Sequence, residues 1–90
     1  MSNMTLTAEL SFYPLTEAYE QRVIDFVKEL RAIPNLQCKI GGMSSMISGS
    51  HDDVFNALSS LTRKYFADAE TQILVVKFLN RDAFADPSIH

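Results

Sequence analysis

The chain opens with a strict alternation. Leu6, Ala8, Leu10 and Phe12 interleave with Thr5, Thr7, Glu9, Ser11 and Tyr13. A period of two is the signature of a strand with one buried face, and Pro14, which has no N–H to give a ladder, should end it. The period then changes. Tyr19, Val23, Phe26, Val27 and Leu30 recur at helical spacing, which predicts a helix over 16–32 with Thr16 as N-cap, Glu17 and Glu20 in the first turn, and Pro34 barring continuation. A short strand is expected over 36–40. Gly41-Gly42 should make a turn, its glycines permitting positive φ, and a third strand should return over 43–49. Ser50 with Asp53 reads as a capping box for a second helix over 51–66. Its stripe is Val54, Leu58, Leu61 and Tyr65, with Phe55 and Ala57 widening it, and Arg63 and Lys64 near its end. A fourth strand is expected over 71–80. There Leu74, Val76 and Phe78 should face the helices, opposite Ile73, Val75, Lys77 and Leu79. No period continues after residue 80, so 81–90 is expected to be a mobile tail.

The order βαββαβ contains one hairpin, which rules out a doubly wound parallel sheet. It predicts a ferredoxin-like α+β two-layer sandwich with an antiparallel sheet in the order 4-1-3-2. Both helices then cover one sheet face and the other stays open. That open face should carry Thr5, Thr7, Glu9, Ser11 and Tyr13, then Ser44, Met46 and Ser48, then Ile73, Val75, Lys77 and Leu79. It is neither a charged solvent face nor a core. The aliphatic row on strand four predicts that two copies pack open face to open face as a homodimer, with a tetramer as the next possibility.

Composition narrows the function. Ninety residues, 47% hydrophobic and 21% charged, read as one globular domain over 1–90 with its core in 5–80. A net charge of −3 with scattered Lys and Arg excludes a nucleic-acid surface of the usual basic kind. No stretch is apolar for the roughly 20 residues a membrane span needs, and the N-terminus does not read as a signal peptide. One cysteine, Cys38, cannot form an internal disulfide. The expectation is a cytoplasmic protein without membrane or nucleic-acid partners.

The residues with chemistry sit mainly on the open face. Glu9 and Lys77 should lie opposite each other, as a cross-strand pair or as a site for an amine or cation. Ser11, Ser44 and Ser48 offer hydroxyls, and Tyr13 and Met46 offer surfaces for a ring. Ser45 lies on the inward register. Tyr19 and Tyr65 read as helix packing. His51 and His90 lack metal-ligand spacing, Asp52-Asp53 complements a helix dipole, and no nucleophile–base pair stands out. Neither metal nor cofactor is expected.

Four pieces in order, ELSFYPL, GGMSSMISG, HDDVF and ILVVKFL, resemble the YkoF-like family of thiamin- and hydroxymethylpyrimidine-binding proteins. The matching residues are Ser11-Phe12-Tyr13-Pro14-Leu15, Met43-Ser44-Ser45 with Gly49, Val54-Phe55, and Lys77-Phe78, across about residues 5 to 80. The resemblance implies face-to-face paired sheets. It also implies a non-enzymatic role in thiamin uptake or salvage, with thiamin or its pyrimidine half as ligand. Ser45 stands where relatives often carry threonine, and Met46 departs from the family pattern. Taken with the chemistry of the open face, the candidate ligand set is Glu9, Ser11, Tyr13, Ser44, Ser45, Met46, Ser48 and Lys77. Two other readings compete. One is an enzyme acting on a small heterocycle, with only Glu9 and Tyr13 as acid–base groups. The other is an oligomeric regulatory module that binds another small effector or a partner protein.

Overall fold

The computed structural model describes residues 4–68 and 70–85. Six elements follow in the order β1 (Thr5–Pro14), α1 (Tyr19–Ala32), β2 (Gln37–Ile40), β3 (Ser45–Ser50), α2 (His51–Tyr65) and β4 (Gln72–Leu79). They form an α+β two-layer sandwich of βαββαβ topology. The sheet order is β2-β3-β1-β4, antiparallel at every junction. Read from the other edge, this is the expected 4-1-3-2.

The two faces follow the sequence alternation. Leu6, Ala8, Leu10 and Ile47 point to the helices and are buried with Phe26, Leu30, Val54, Leu58, Leu61 and Tyr65. Three rings knit the centre. Phe12 stacks on Phe26 with centroids 4.5 Å apart, and Tyr65 meets both edge-on. Edge and offset contacts suit the ring quadrupoles. Gly49 is needed for close approach: a Cβ there would lie 2.6 Å from the Leu36 side chain and 3.0 Å from the Asn35 carbonyl oxygen.

Several local expectations are corrected. α1 starts at Tyr19, its N-cap is Ala18, and no side chain caps it. Thr16 therefore does not cap α1. The Pro14–Leu15 exit continues along β4, with the Leu15 N–H donating to the Thr71 carbonyl at 2.9 Å, and this delays the helix. The tight turn forms, with the Gly41 N–H donating to the Ser44 carbonyl at 2.8 Å, but neither Gly41 nor Gly42 has positive φ; among the described residues the left-handed one is Asn35, φ 68°, before β2. β3 begins at Ser45 rather than Met43, which is 94% exposed in the connecting loop. By contrast α2 begins as expected, its Ser50 hydroxyl accepting the Asp53 N–H at 3.1 Å.

The largest departure follows β4. Residues 81–85 fold back onto the open face as a strap. The Thr7 hydroxyl donates to the Arg81 carbonyl at 2.7 Å and accepts the Ala83 N–H at 2.9 Å. Ser48 donates to Asp82 at 3.0 Å, and Asp82 accepts the Phe84 N–H at the same distance. The expected mobile tail is thus held down as far as residue 85; residues 86–90 lie outside the described residues.

Candidate functional site

Backbone phase decides what the sheet offers. The Leu15 N–H to Thr71 carbonyl bond marks a hydrogen-bonded pair of the β1–β4 ladder. Such pairs alternate along an antiparallel ladder. Glu9, Ser11 and Tyr13 therefore turn their backbone groups toward β4, and Leu10 and Phe12 turn theirs toward β3. The His51 N–H donates to the Met4 carbonyl at 2.7 Å and fixes the same phase independently from the β3 side.

β3 stops short. The last β1–β3 pair is Leu10 with Ser45, yet β1 runs on to Pro14. Beyond that pair the Phe12 N–H and C=O face a groove instead of a strand. The groove holds about 350 Å³. Its walls are Ser11 to Leu15 of β1 and its exit, Tyr19, Val23, Phe26 and Val27 of α1, and the 41–45 segment. None of these lining residues is charged. Tyr19, expected as packing, is half exposed here.

Four of the eight candidate residues, Ser11, Tyr13, Ser44 and Ser45, line this groove. Glu9, Met46 and Lys77 line a second hollow of about 210 Å³ beside the strap, with Leu79 and Ala83. Glu9 joins the two. One of its oxygens lies 2.9 Å from the Lys77 ammonium, and the other accepts the Ser44 hydroxyl at 2.9 Å. These bonds, that to Lys77 first, hold the Glu9 carboxyl below its ordinary value. Lys77 is raised in turn by Glu9. Ser48 lies apart from both hollows. At 2% exposure it is sealed under the strap, with its hydroxyl spent on Asp82.

Toward β4 the open face carries a largely apolar patch. Tyr13 and Ile73 are cross-strand partners, as are Ser11 and Val75. Tyr13, Ile73 and Val75 are 50%, 46% and 48% exposed.

A third hollow, on the helix side, escaped the sequence reading. Arg22 reaches Asp68 at 2.9 Å and donates to the Tyr65 carbonyl and to Gln72. Glu29 accepts from Lys64 and from the Tyr65 hydroxyl, which lowers its pKa. Burial, then Glu29, pushes the Tyr65 phenol up. These groups come from α1, α2, the connection after α2 and β4, so no local spacing announces them. Among the described residues no cluster of His, Cys, Asp and Glu could hold a metal, and no helix is long and apolar enough to cross a membrane.

Comparison with known families and with curated proteins yields no match. Solved structures do share the fold. A Streptococcus pneumoniae protein superposes with a TM-score of 0.76 at 17% identity, covering 96% of this chain and 97% of its own. A domain of unknown function from Bacillus cereus gives 0.71 at 18%, covering 87% and 77%. A Thermotoga maritima protein, named as a candidate for thiamine biosynthesis or salvage, gives 0.66 at 13%, covering 89% and 86%. At these identities the likeness is one of fold.

Proposed function

We propose that this chain is a non-catalytic module that binds a small, flat ligand in the groove beside Phe12. The observation that carries this reading is the turned-out backbone of Phe12. An N–H donor and a C=O acceptor, facing an uncharged hollow with ring walls, suit a ligand edge with adjacent acceptor and donor. An apolar pocket with a few convergent polar groups is the usual form of a small-molecule site. An aminopyrimidine has such an edge, and its ring would pack on Tyr13 or Tyr19. Ser11 and Ser45 supply further hydrogen bonds. Hydroxymethylpyrimidine is the ligand we favour for the groove. Thiamin would add a cationic ring directed past Ser44 toward Glu9. The YkoF-like resemblance supports this ligand class, and the Thermotoga protein's name is consistent with it. Two copies would pack their Tyr13, Ile73 and Val75 patches together and close the groove from above. Salvage or delivery of the ligand would then be the role.

The second reading is an oligomeric regulatory module for another small effector or a partner protein. The same observation favours it, because a strand-edge donor and acceptor recognise any amide-like edge. Thermal shift with thiamin, its phosphates and hydroxymethylpyrimidine separates the two. At about 100 times Kd one site adds roughly 2.7 kcal/mol, which moves Tm by on the order of ten degrees. Glu9→Gln should reduce the shift with thiamin and leave that with hydroxymethylpyrimidine, since only the former brings a cation. No shift with any of these compounds would reject the thiamin-related ligand in favour of the regulatory reading.

A further inference from the structure

The apolar side chains left in water are not spread evenly. Among the described residues the five most exposed large ones are Met43 at 94%, Leu15 at 55%, Tyr19 at 53%, Met4 at 51% and Tyr13 at 50%. All but Met4 line the groove beside Phe12. A single exposed apolar side chain is ordinary on a protein surface. Four around one uncharged hollow make a rim, and a contiguous apolar rim marks a place that something covers.

The rim is fixed on two sides and free on the third. Tyr13 lies in β1, paired with Ile73, and the Leu15 N–H is bonded to the Thr71 carbonyl. Tyr19 is the first residue of α1. Sheet and helix hold these backbones. Met43 stands in the 41–44 turn between β2 and β3, and that turn is also pinned. The Gly41 N–H donates to the Ser44 carbonyl at 2.8 Å, and the Ser44 hydroxyl donates to Glu9 at 2.9 Å. A Cβ at Gly41 would lie 2.9 Å from the Ser44 carbonyl oxygen, so only glycine lets the turn close this tightly. Beside Gly42 the space is open, and a Cβ there would meet no atom within 4 Å. The backbone around Met43 is therefore set, while its side chain stands in water. An unbranched side chain with three rotatable bonds moves by rotation alone, and its thioether sulfur is attracted to aromatic rings.

We infer that Met43 is the closing residue of the groove. Its side chain leaves water, lies against a ligand ring held at Phe12 and gives the site its preference for a flat aromatic ligand. This role rests on the reading of the groove as a small-molecule site. The moving part is one side chain on a fixed turn. Closure costs the rotamer freedom of that side chain and takes its apolar surface out of water.

Peroxide footprinting and calorimetry on the full chain test this. Hydrogen peroxide transfers one oxygen atom to an accessible thioether and leaves water, and mass spectrometry reads each methionine separately. Met4, at the other end of β1, is the internal reference. With hydroxymethylpyrimidine at saturation Met43 should oxidise roughly fivefold more slowly, and Met4 at its original rate. Met43→Ala should weaken hydroxymethylpyrimidine binding about three- to tenfold, the range of one sulfur–ring contact. Met43→Leu, which keeps the apolar surface, should recover most of the loss. Without ligand, Tm should be the same in all three proteins, because a side chain this exposed adds nothing to the core. Unchanged affinity in Met43→Ala, or an unchanged Met43 oxidation rate at saturation, overturns the closure and leaves the groove's ligand in place. Slow oxidation of Met43 before ligand is added overturns it too, since the side chain is then already covered. If the wild type binds neither hydroxymethylpyrimidine nor thiamin, the reading of the groove fails and the role of Met43 falls with it.

Discussion

Glu9 shows how much one side chain organises. It stands in the central strand, bonded to Lys77 on one side and Ser44 on the other. Glu29 has the same standing on the helix side, with Lys64 and Tyr65. Both carboxyls are held below the ordinary glutamate value of 4.5. A depressed folded pKa means that protons bind the unfolded chain more readily, so stability from these groups is complete above that value. It is lost as pH falls through the lower folded pKa. We therefore expect the urea midpoint to fall between about pH 6 and about pH 3, and the fall to be shallower in Glu9→Gln/Glu29→Gln. Added salt should shrink the difference between the two proteins, because both pairs face solvent. Equal slopes would show that these pairs carry no pH-dependent stability. The alternation of Glu9 with Leu10 made its face legible in the sequence. Its bond to Ser44 was not, because it spans 35 residues and depends on sheet register.

At the scale of elements, the two helices start by different means. α2 has a hydroxyl cap, Ser50 to Asp53, with Asp52 and Asp53 in its first turn. The sequence signal SHDD was sufficient to place it, because an N-cap bond is local. α1 has no side-chain cap, since Ala18 occupies that position. Ser50→Ala should therefore destabilise the protein by about 1 kcal/mol, and Thr16→Ala by much less. Ala18→Asp should stabilise by a comparable amount if the aspartate takes up the cap. Chemical denaturation of the three variants tests this, and equal losses for Ser50→Ala and Thr16→Ala would refute the assignment. Thr16 misled because a good cap residue before an apolar stripe is only a preference. The Leu15–Thr71 bond extends β1's path and overrides it.

For the molecule as a whole, the strap matters most. Among the described residues it covers the Thr7 and Ser48 end of the open face and leaves the Ser11 and Tyr13 end uncovered. The strap is held by the Thr7 hydroxyl, which donates to Arg81 and accepts from Ala83, and by the Ser48 hydroxyl, which donates to Asp82. Thr7→Val keeps the shape, removes both bonds and should loosen the strap by about 1–3 kcal/mol. Since about 1.4 kcal/mol is a factor of ten, tryptic cleavage after Arg81 should accelerate roughly tenfold or more in the native protein. Cleavage at the wild-type rate would show that Thr7 does not hold the strap. Ser48 illustrates the consequence for the site. Its strand phase places it on the open face with Ser44 and Met46, and the strap then takes it out of reach.

The sequence by itself determined the element order, the inward and outward faces of β1, β3 and β4, the sheet order and the cap of α2. These rest on periods of two and 3.6 and on contacts between near neighbours, which local chemistry fixes. Only the tertiary structure decided where β3 falls short of β1, which half of the open face the strap covers, and how Arg22, Glu29 and Tyr65 meet. Each of these depends on the relative lengths and placement of elements distant in the chain. A hydrogen-bond donor left over at the end of a ladder, as at Phe12, has no signature in the residue that carries it.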